Sequence, residues 1–333
     1  MKKGFLSILI LIIIIALAIS PNIYIKASGE GILVWATIIL PAIFPFLFFT
    51  KILTDLGVIN TITNKFTLFA KIYKTPPISA YAFTMSILSG YPVGAKVVCD
   101  LYESGFINKE EAFKICTFTS NSGPMFILGS VGIGMLCSRT LGFIMLFSHI
   151  IGALLNGLLY RNHKEKFNTY SYKFPLINYT NKTSSKILSS QINSTFSIGE
   201  SMWNSVTSIL IIGGFICIFF VIIEMLNNLY IITPIANFLH SLTGIDTQIF
   251  VGILNGIFEM THGCLDIANL QFSPILLCCI CCGLITFGGL ATMMQAFAFL
   301  QKFGMRFKFF MCQKITHTLI SIIICFILCL IFV

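Results

Sequence analysis

The sequence contains five apolar runs that are each long enough to cross a lipid bilayer, and these runs restrict the chain to a helical membrane fold. They occupy residues 4–20, 33–57, 140–160, 205–226 and 315–333. A bilayer core requires about 20 apolar residues per helix, and backbone in lipid must satisfy its hydrogen bonds internally. We therefore expect an all-α integral membrane protein.

Composition agrees with this class, because 56% of the 333 residues are hydrophobic and only 10% are charged, whereas a soluble domain is about 25% charged. In a membrane protein the net charge of +9 is interpreted by the positions of the charges relative to the spans, because basic loops indicate topology. We therefore expect no nucleic-acid partner. The twelve cysteines lie mostly in apolar runs, which argues against a disulfide framework.

No sequence pattern indicates covalent chemistry. There is no Walker A sequence, no soluble domain, and no Ser–His–Asp or paired-carboxylate arrangement. We therefore expect no ATP drive, no enzyme activity and no cofactor. The run CCICC, residues 278–282, is interpreted as small hydrophobic side chains, since structural zinc favours separated cysteine pairs, and no metal site is expected.

Four further segments are apolar but interrupted. Residues 112–137 and 273–301 are long enough to cross a bilayer but contain polar and glycine residues. Residues 77–97 and 247–268 each carry a polar, glycine-containing break near one end. We interpret the first two as broken transmembrane helices and the second two as re-entrant hairpins, because non-helical backbone at membrane depth must be buried in protein or line a cavity.

The basic residues indicate the orientation of these segments. With a cytoplasmic N-terminus, seven crossings and two hairpins, only Lys26 and Arg139 of the 21 basic residues fall outside. The positive-inside rule favours this topology. If either hairpin were a full span, the later loops would change sides and the bias would disappear.

The two halves of the chain show the same order of elements at an offset of about 170 residues. Span 33–57 corresponds to 205–226, stretch 60–73 to 231–243, hairpin 77–97 to 247–268, broken helix 112–137 to 273–301, and span 140–160 to 315–333. Each unit has three crossings, so the second unit is inverted relative to the first. Inverted repeats with broken helices are typical of secondary transporters, whose substrates bind near the bilayer midplane.

The stretch SNSGP, residues 120–124, lies in the middle of one broken helix. A half-helix that starts near Pro124 points unpaired N–H groups at whatever occupies the break. The alternative is a packing kink, since small residues also let helices approach closely. The corresponding break at Gly288 and Gly289 favours the first interpretation.

Two motifs resemble a known family. SGYPVGAK (89–96) and NSGPMFILG (121–129), together with GGLATMMQ (288–295), are similar to those of sporulation integral membrane proteins of the YlbJ/SpoVV type, whose core is a nucleoside-recognition Gate domain. The resemblance covers about residues 35–320 and implies a fold like that of concentrative nucleoside transporters. The CCICC run is not part of that pattern.

The resemblance implies a function in endospore formation: transport of dipicolinic acid, a small aromatic dicarboxylate, across the outer forespore membrane by alternating access. It implies a multi-pass protein of that mother-cell-derived membrane. Partners would be the dipicolinate anion, the lipid bilayer, and further copies of the chain or other sporulation membrane proteins. The alternatives are a ligand-binding membrane sensor or assembly factor, and a nucleoside transporter.

This interpretation divides the chain into four parts. Residues 1–30 form an N-terminal transmembrane anchor, residues 31–160 the first Gate-type repeat, residues 161–203 a cytoplasmic linker with an interfacial helix, and residues 204–333 the inverted second repeat. The first segment is interpreted as an uncleaved anchor, because no convincing small-residue cleavage site follows IALAIS.

The predicted substrate-binding residues lie at the hairpin ends and the helix breaks. Lys96 is either a countercharge for an anion or a marker of the cytoplasmic membrane edge, and Glu259 is either a proton-coupling group or a polar cap. His262 and Thr261 share the end of the second hairpin. The complete predicted set is Ser89, Gly90, Tyr91, Lys96, Ser120, Asn121, Ser122, Gly123, Glu259, Thr261, His262, Gly288, Gly289 and Gln295.

Overall fold

The structure, a computed structural model, describes residues 3–56, 66–163 and 197–333. These residues are all-helical, with no β-strand among them. The stretch 60–65 of the predicted amphipathic segment and most of the predicted linker, residues 164–196, lie outside the described residues.

Fifteen α-helices, two π-helical segments (Trp35–Ile39 and Phe126–Met135) and one 3-10 turn (Gln301–Phe303) make up the described part of the chain. The α-helices are α1 (Lys3–Ile19), α2 (Pro21–Val34), α3 (Leu40–Asp55), α4 (Thr67–Tyr73), α5 (Ser79–Ser89), α6 (Val93–Glu103), α7 (Lys109–Cys116), α8 (Arg139–Tyr160), α9 (Ile198–Asn228), α10 (Ile232–Thr243), α11 (Thr247–Phe258), α12 (Met260–Ala268), α13 (Pro274–Phe287), α14 (Gly289–Leu300) and α15 (Phe307–Phe332).

Five helical stretches in the described residues are long and apolar enough to cross a membrane. They are Pro21–Phe49, Arg139–Tyr160, Ile198–Asn228, Pro274–Phe303 and Phe307–Phe332. This finding confirms the predicted all-α membrane fold. Helix α1 is a shorter apolar helix that ends at Ile19, one residue before α2 begins.

The predicted start of the second span, residue 33, is wrong, because helical structure runs from Pro21 through the π-helical segment into α3. The small residues that looked like a loop instead form a packing face for α9. A Cβ on Gly31 would lie 3.1 Å from the Phe220 ring, and the Ser28 hydroxyl lies 3.0 Å from the Cys217 sulfur. The Trp35 indole N–H donates to the Ile209 carbonyl at 3.1 Å.

The last span was also predicted to start too late. Helix α15 begins at Phe307 rather than at residue 315, and it packs against α8 and α13. Lys314, which the charge count placed in a cytoplasmic loop, is therefore fully buried inside the helix bundle. Likewise, α9 begins at Ile198 and merges part of the predicted interfacial helix with the span predicted at 205–226.

Both interrupted segments are broken in the structure. Helix α7, which starts with an Asn108–Glu111 capping box, ends at Cys116, and helical structure resumes only at Pro124. We call residues 117–123 the first break. Helix α13 ends at Phe287 with Gly288 as its C-cap, and α14 begins at Gly289; φ is +90° at Gly288 and +68° at Gly289. We call these two glycines the second break, since positive φ there favours residues without a Cβ.

Each predicted hairpin segment forms two short helices that pack against each other: α5 with α6, and α11 with α12. We call residues 89–92 the first tip and residues 259–261 the second tip. Within the second pair, a Cβ on Gly263 would lie less than 3.0 Å from the Gly256 backbone. The helices of this pair therefore touch backbone to backbone, which only glycine permits.

Candidate functional site

A cavity lies where the two tips and the two breaks converge. Its polar lining comes from both tips, from the first break and from the start of α14, and its apolar lining from α3, α9 and the helix that follows the first break. The space open to the centre of a water molecule is about 70 Å³, room for about five waters. The polar and glycine lining residues are Ser89, Gly90, Tyr91, Ser122, Gly123, Glu259, Thr261, Thr292 and Gln295.

The first tip contacts the first break through two glycines. Gly90 has φ +69° and ψ −166°, a conformation that is essentially restricted to glycine. A Cβ on Gly90 would lie 2.6 Å from the Gly123 nitrogen. The small residues of SNSGP therefore allow close packing, and Ser122 and Gly123 also line the cavity.

The first break is held by buried side chains from other helices. The Ser122 N–H donates to Nε2 of His149 at 3.0 Å. Because Nε2 accepts this bond, Nδ1 carries the proton and donates to the Thr286 hydroxyl at 2.9 Å. His149 thus bridges the two breaks, since Thr286 lies two residues before Gly288.

Ser120 and Asn121 lie behind the cavity wall. The Asn121 amide donates to the Ser86 hydroxyl at 2.9 Å and to the Phe118 carbonyl at 2.8 Å, which ties the break to α5. The Ser120 hydroxyl and the Asn121 side-chain oxygen are buried without a hydrogen-bond partner. Such groups are rare in proteins and concentrate at functional sites.

The second tip is organised by Glu259, which is buried and lies between α11 and α12. Its backbone is extended, and its carboxylate accepts a hydrogen bond from the His262 N–H at 2.7 Å, which caps α12. A Cβ on Gly289 would lie 3.0 Å from the Met260 nitrogen and 3.3 Å from the Glu259 Cα. The second tip therefore meets the second break as the first tip meets the first.

Lys314 is the main residue of the site that the sequence analysis missed. Its ammonium donates to the Tyr91 hydroxyl at 2.5 Å and to the Ser120 carbonyl at 3.1 Å. It also lies 4.7 Å from the centre of the Tyr91 ring. The Tyr91 hydroxyl in turn donates to the Thr286 carbonyl at 3.1 Å. The available signal was a lysine next to a long apolar run, which the sequence analysis read as a loop residue.

The fourteen predicted residues thus fall into three groups. Eight line the cavity: Ser89, Gly90, Tyr91, Ser122, Gly123, Glu259, Thr261 and Gln295. Four lie directly behind its wall: Ser120, Asn121, Gly288 and Gly289. The structure does not bring Lys96 or His262 to the cavity wall.

Lys96 is exposed on α6. Lys96 lies one helical turn before Asp100. Burial raises the pKa of the Asp100 carboxyl, and the Lys96 ammonium offsets part of this rise. The His262 ring packs against Phe220, with 4.3 Å between the ring centres, and Nδ1 lies 3.9 Å from an Asp266 carboxylate oxygen.

The structure adds partners to the cysteine run. Cys278, Cys325 and Cys329 are buried, and their sulfur atoms all lie within 4.8 Å of one another, with 3.6 Å between Cys278 and Cys325. The sequence-based interpretation of the CCICC run did not include the cysteines of α15. Among the described residues these three thiols are the group that could hold a soft metal ion.

The arrangement is suited to binding a small organic molecule. A mostly apolar wall that includes Phe46, Phe126 and Phe215 provides area, and a few convergent polar groups provide orientation, as in most small-molecule sites. The fold and the cavity together define a polytopic helical membrane protein with an internal ligand-sized site at paired helix breaks.

The chain is similar to the sporulation integral membrane protein YlbJ of Bacillus subtilis (strain 168). The two are 25% identical over 310 residues, which cover 89% of this chain and 75% of that protein. This similarity confirms the predicted resemblance to YlbJ-type sporulation membrane proteins. No family model matches the chain, and no solved structure matches it.

Proposed function

We propose that the protein is a transporter that moves a small aromatic dicarboxylate across a sporulation membrane by alternating access, without covalent chemistry. The observation that carries this proposal is the convergence of both tips and both breaks on one cavity. A cavity assembled from two similar halves can open to either side when the halves move relative to each other.

The contacts between tips and breaks support an inverted repeat. The first tip meets the first break at Gly90 and Gly123, and the second tip meets the second break at Met260 and Gly289. The corresponding spans also pair, since α2 and α3 pack against α9, and α8 packs against α15. Both hairpins would then be re-entrant, with the N-terminus cytoplasmic and the cavity near the bilayer midplane.

The substrate proposed is dipicolinic acid, moved across the outer forespore membrane. The sporulation relative supports the setting. The cavity supports a flat aromatic ligand with polar substituents, because apolar and aromatic side chains surround a few hydroxyl and amide groups.

The test is uptake of radiolabelled dipicolinate by purified protein in liposomes, with empty liposomes as the control. We expect protein-dependent uptake that saturates with ligand concentration. Binding without uptake would contradict transport and favour a membrane sensor. Preferential uptake of uridine would favour a nucleoside transporter instead.

A further inference from the structure

Lys314 is a buried cation for which the described residues provide no countercharge. It is fully buried, and no carboxylate in residues 3–56, 66–163 or 197–333 forms an ion pair with it. Glu259, the buried carboxylate at the site, instead caps α12. A charge removed from water without a partner is strongly unfavourable, so a positive charge on Lys314 becomes favourable only when an anion lies beside it.

The hydrogen bonds of Lys314 are also incomplete. An ammonium group has three N–H donors, and the structure gives this one two acceptors, the Tyr91 hydroxyl and the Ser120 carbonyl. The Ser120 hydroxyl, a buried polar atom of the residue that Lys314 contacts, has no partner either. Lys314 and the residue that it contacts in the first break therefore both have unused hydrogen-bonding capacity.

Tyr91 separates this cation from the cavity. The Tyr91 side chain lines the cavity and also accepts the Lys314 hydrogen bond through its hydroxyl. Because the same hydroxyl already donates to the Thr286 carbonyl, it has no hydrogen left for a ligand. In this state the phenol oxygen occupies the position at which a carboxylate oxygen would meet Lys314.

We propose that Lys314 is the countercharge for a carboxylate of the ligand, which replaces the Tyr91 hydroxyl as the acceptor of the Lys314 hydrogen bond when the anion binds. This inference names the residue responsible for anion selectivity and rests on the proposed function for the ligand class. It assigns to Lys314 the role that the sequence analysis gave to Lys96, which is exposed and absent from the cavity lining.

The experiment measures equilibrium binding by dialysis to the full chain in lipid nanodiscs. The probes are pyridine-2,6-dicarboxylate and pyridine-2,6-dicarboxamide, which share size and shape but differ in charge. The variants are Lys314→Met, Tyr91→Phe, and Lys308→Met as a matched control, since Lys308 is an exposed lysine on the same helix.

We expect Lys314→Met to bind the dicarboxylate about 100-fold more weakly, because loss of one member of a desolvated charge pair has effects of this order. Its affinity for the dicarboxamide should change little. Lys308→Met should behave as the wild type, and Tyr91→Phe should bind the dicarboxylate at least as tightly, because the competing hydroxyl is gone.

Thermal unfolding without ligand separates this role from a structural one. Removal of a lysine that is buried without a countercharge relieves its desolvation cost, which offsets the lost hydrogen bond to the Ser120 carbonyl, so Lys314→Met should unfold at the wild-type temperature or above. A clearly lower unfolding temperature would show that Lys314 is structural and would overturn the proposal.

Three binding results would also overturn it. The first is a dicarboxylate affinity in Lys314→Met within threefold of the wild type, and the second is a wild type that binds no dicarboxylate. The third is an equal loss in Tyr91→Phe, which would mean that Lys314 only positions Tyr91. Failure of the transport proposal can be distinguished from failure of the Lys314 proposal. A wild type that binds the dicarboxylate through Lys314 but does not move it in liposomes refutes transport alone.

Discussion

A single methyl group added at Gly94 tests the contact between α6, which follows the first tip, and the first break. Gly94 lies in the first turn of α6, and a Cβ there would lie less than 3.0 Å from the Thr119 carbonyl oxygen and 2.7 Å from the Ser86 Cβ. The nearest obstacle is backbone, which has no flexible end that can move aside. Gly94→Ala therefore forces α6 away from the first break by about 1 Å or more.

The expected loss of unfolding free energy in Gly94→Ala is estimated by comparison with Gly214→Ala. Gly214 is also helical, in α9, and nothing lies within 4 Å of its Cβ position. Both substitutions gain about 1 kcal/mol from helix propensity, so the difference between the two variants isolates the clash. Overpacking costs about 1–3 kcal/mol, and a backbone obstacle places Gly94→Ala at the upper end, at about 3 kcal/mol.

The assay is thermal unfolding of the two purified variants in the same detergent, followed by intrinsic fluorescence. At roughly 2–4 °C per kcal/mol, Gly94→Ala should unfold roughly 6–12 °C below Gly214→Ala. Dipicolinate uptake should fall in Gly94→Ala alone, because the shift of α6 displaces the tip residues that line the cavity. Equal unfolding temperatures for the two variants would refute the close packing of α6 against the first break.

Four further outcomes are expected. The first uses a background without the exposed Cys137 and Cys312 thiols. In it, Asn227→Cys and Asn237→Cys should react with a thiol reagent added outside the cell, and Asn168→Cys only after permeabilisation. Labelling of Asn168→Cys in intact cells would contradict the inverted topology. Combined Gly123→Ala and Pro124→Ala substitution should abolish dipicolinate uptake while the protein still inserts, since a Cβ on Gly123 would lie at an ordinary 3.6 Å from Gly90 and the change acts on the helix break rather than on packing. His149→Leu should lower the free energy of unfolding by about 2–3 kcal/mol, because it leaves the Ser122 N–H and the Thr286 hydroxyl without their partner; unchanged denaturant unfolding would argue against the bridge. Glu259→Gln should keep the cap on α12, because its amide oxygen still accepts the His262 N–H, but should change the pH dependence of uptake, whereas an unchanged profile would remove the proton-coupling role.

The positions of the breaks and tips were predictable from the sequence because their causes are local. Gly90, Gly288 and Gly289 adopt positive φ, and Pro124 begins a helix after seven residues without helical structure. Glycine and proline act on the backbone of their own segment, whatever packs against it. For the same reason the set predicted from these motifs included eight of the residues that line the cavity.

The starts of α2 and α15 were not predictable in the same way. Ser28, Gly31 and Lys314 look like loop residues when only their neighbours in sequence are considered. They are helical because distant segments cover them, Cys217 and Phe220 in the first case and Tyr91 and Ser120 in the second.

The apolar runs alone predict a helical membrane protein with paired interruptions, since bilayer length and backbone hydrogen bonding require helices for such runs. Which groups face the cavity, and which charged side chain lies behind its wall, follow from the packing of the helices. Lys314 meets Tyr91 across 223 residues of sequence and Ser120 across 194, and Lys96 points away from the site although it follows the tip by one turn of helix. The physical reason is that a break is set by the conformational limits of its own residues, whereas burial of a charge depends on which helices pack around it.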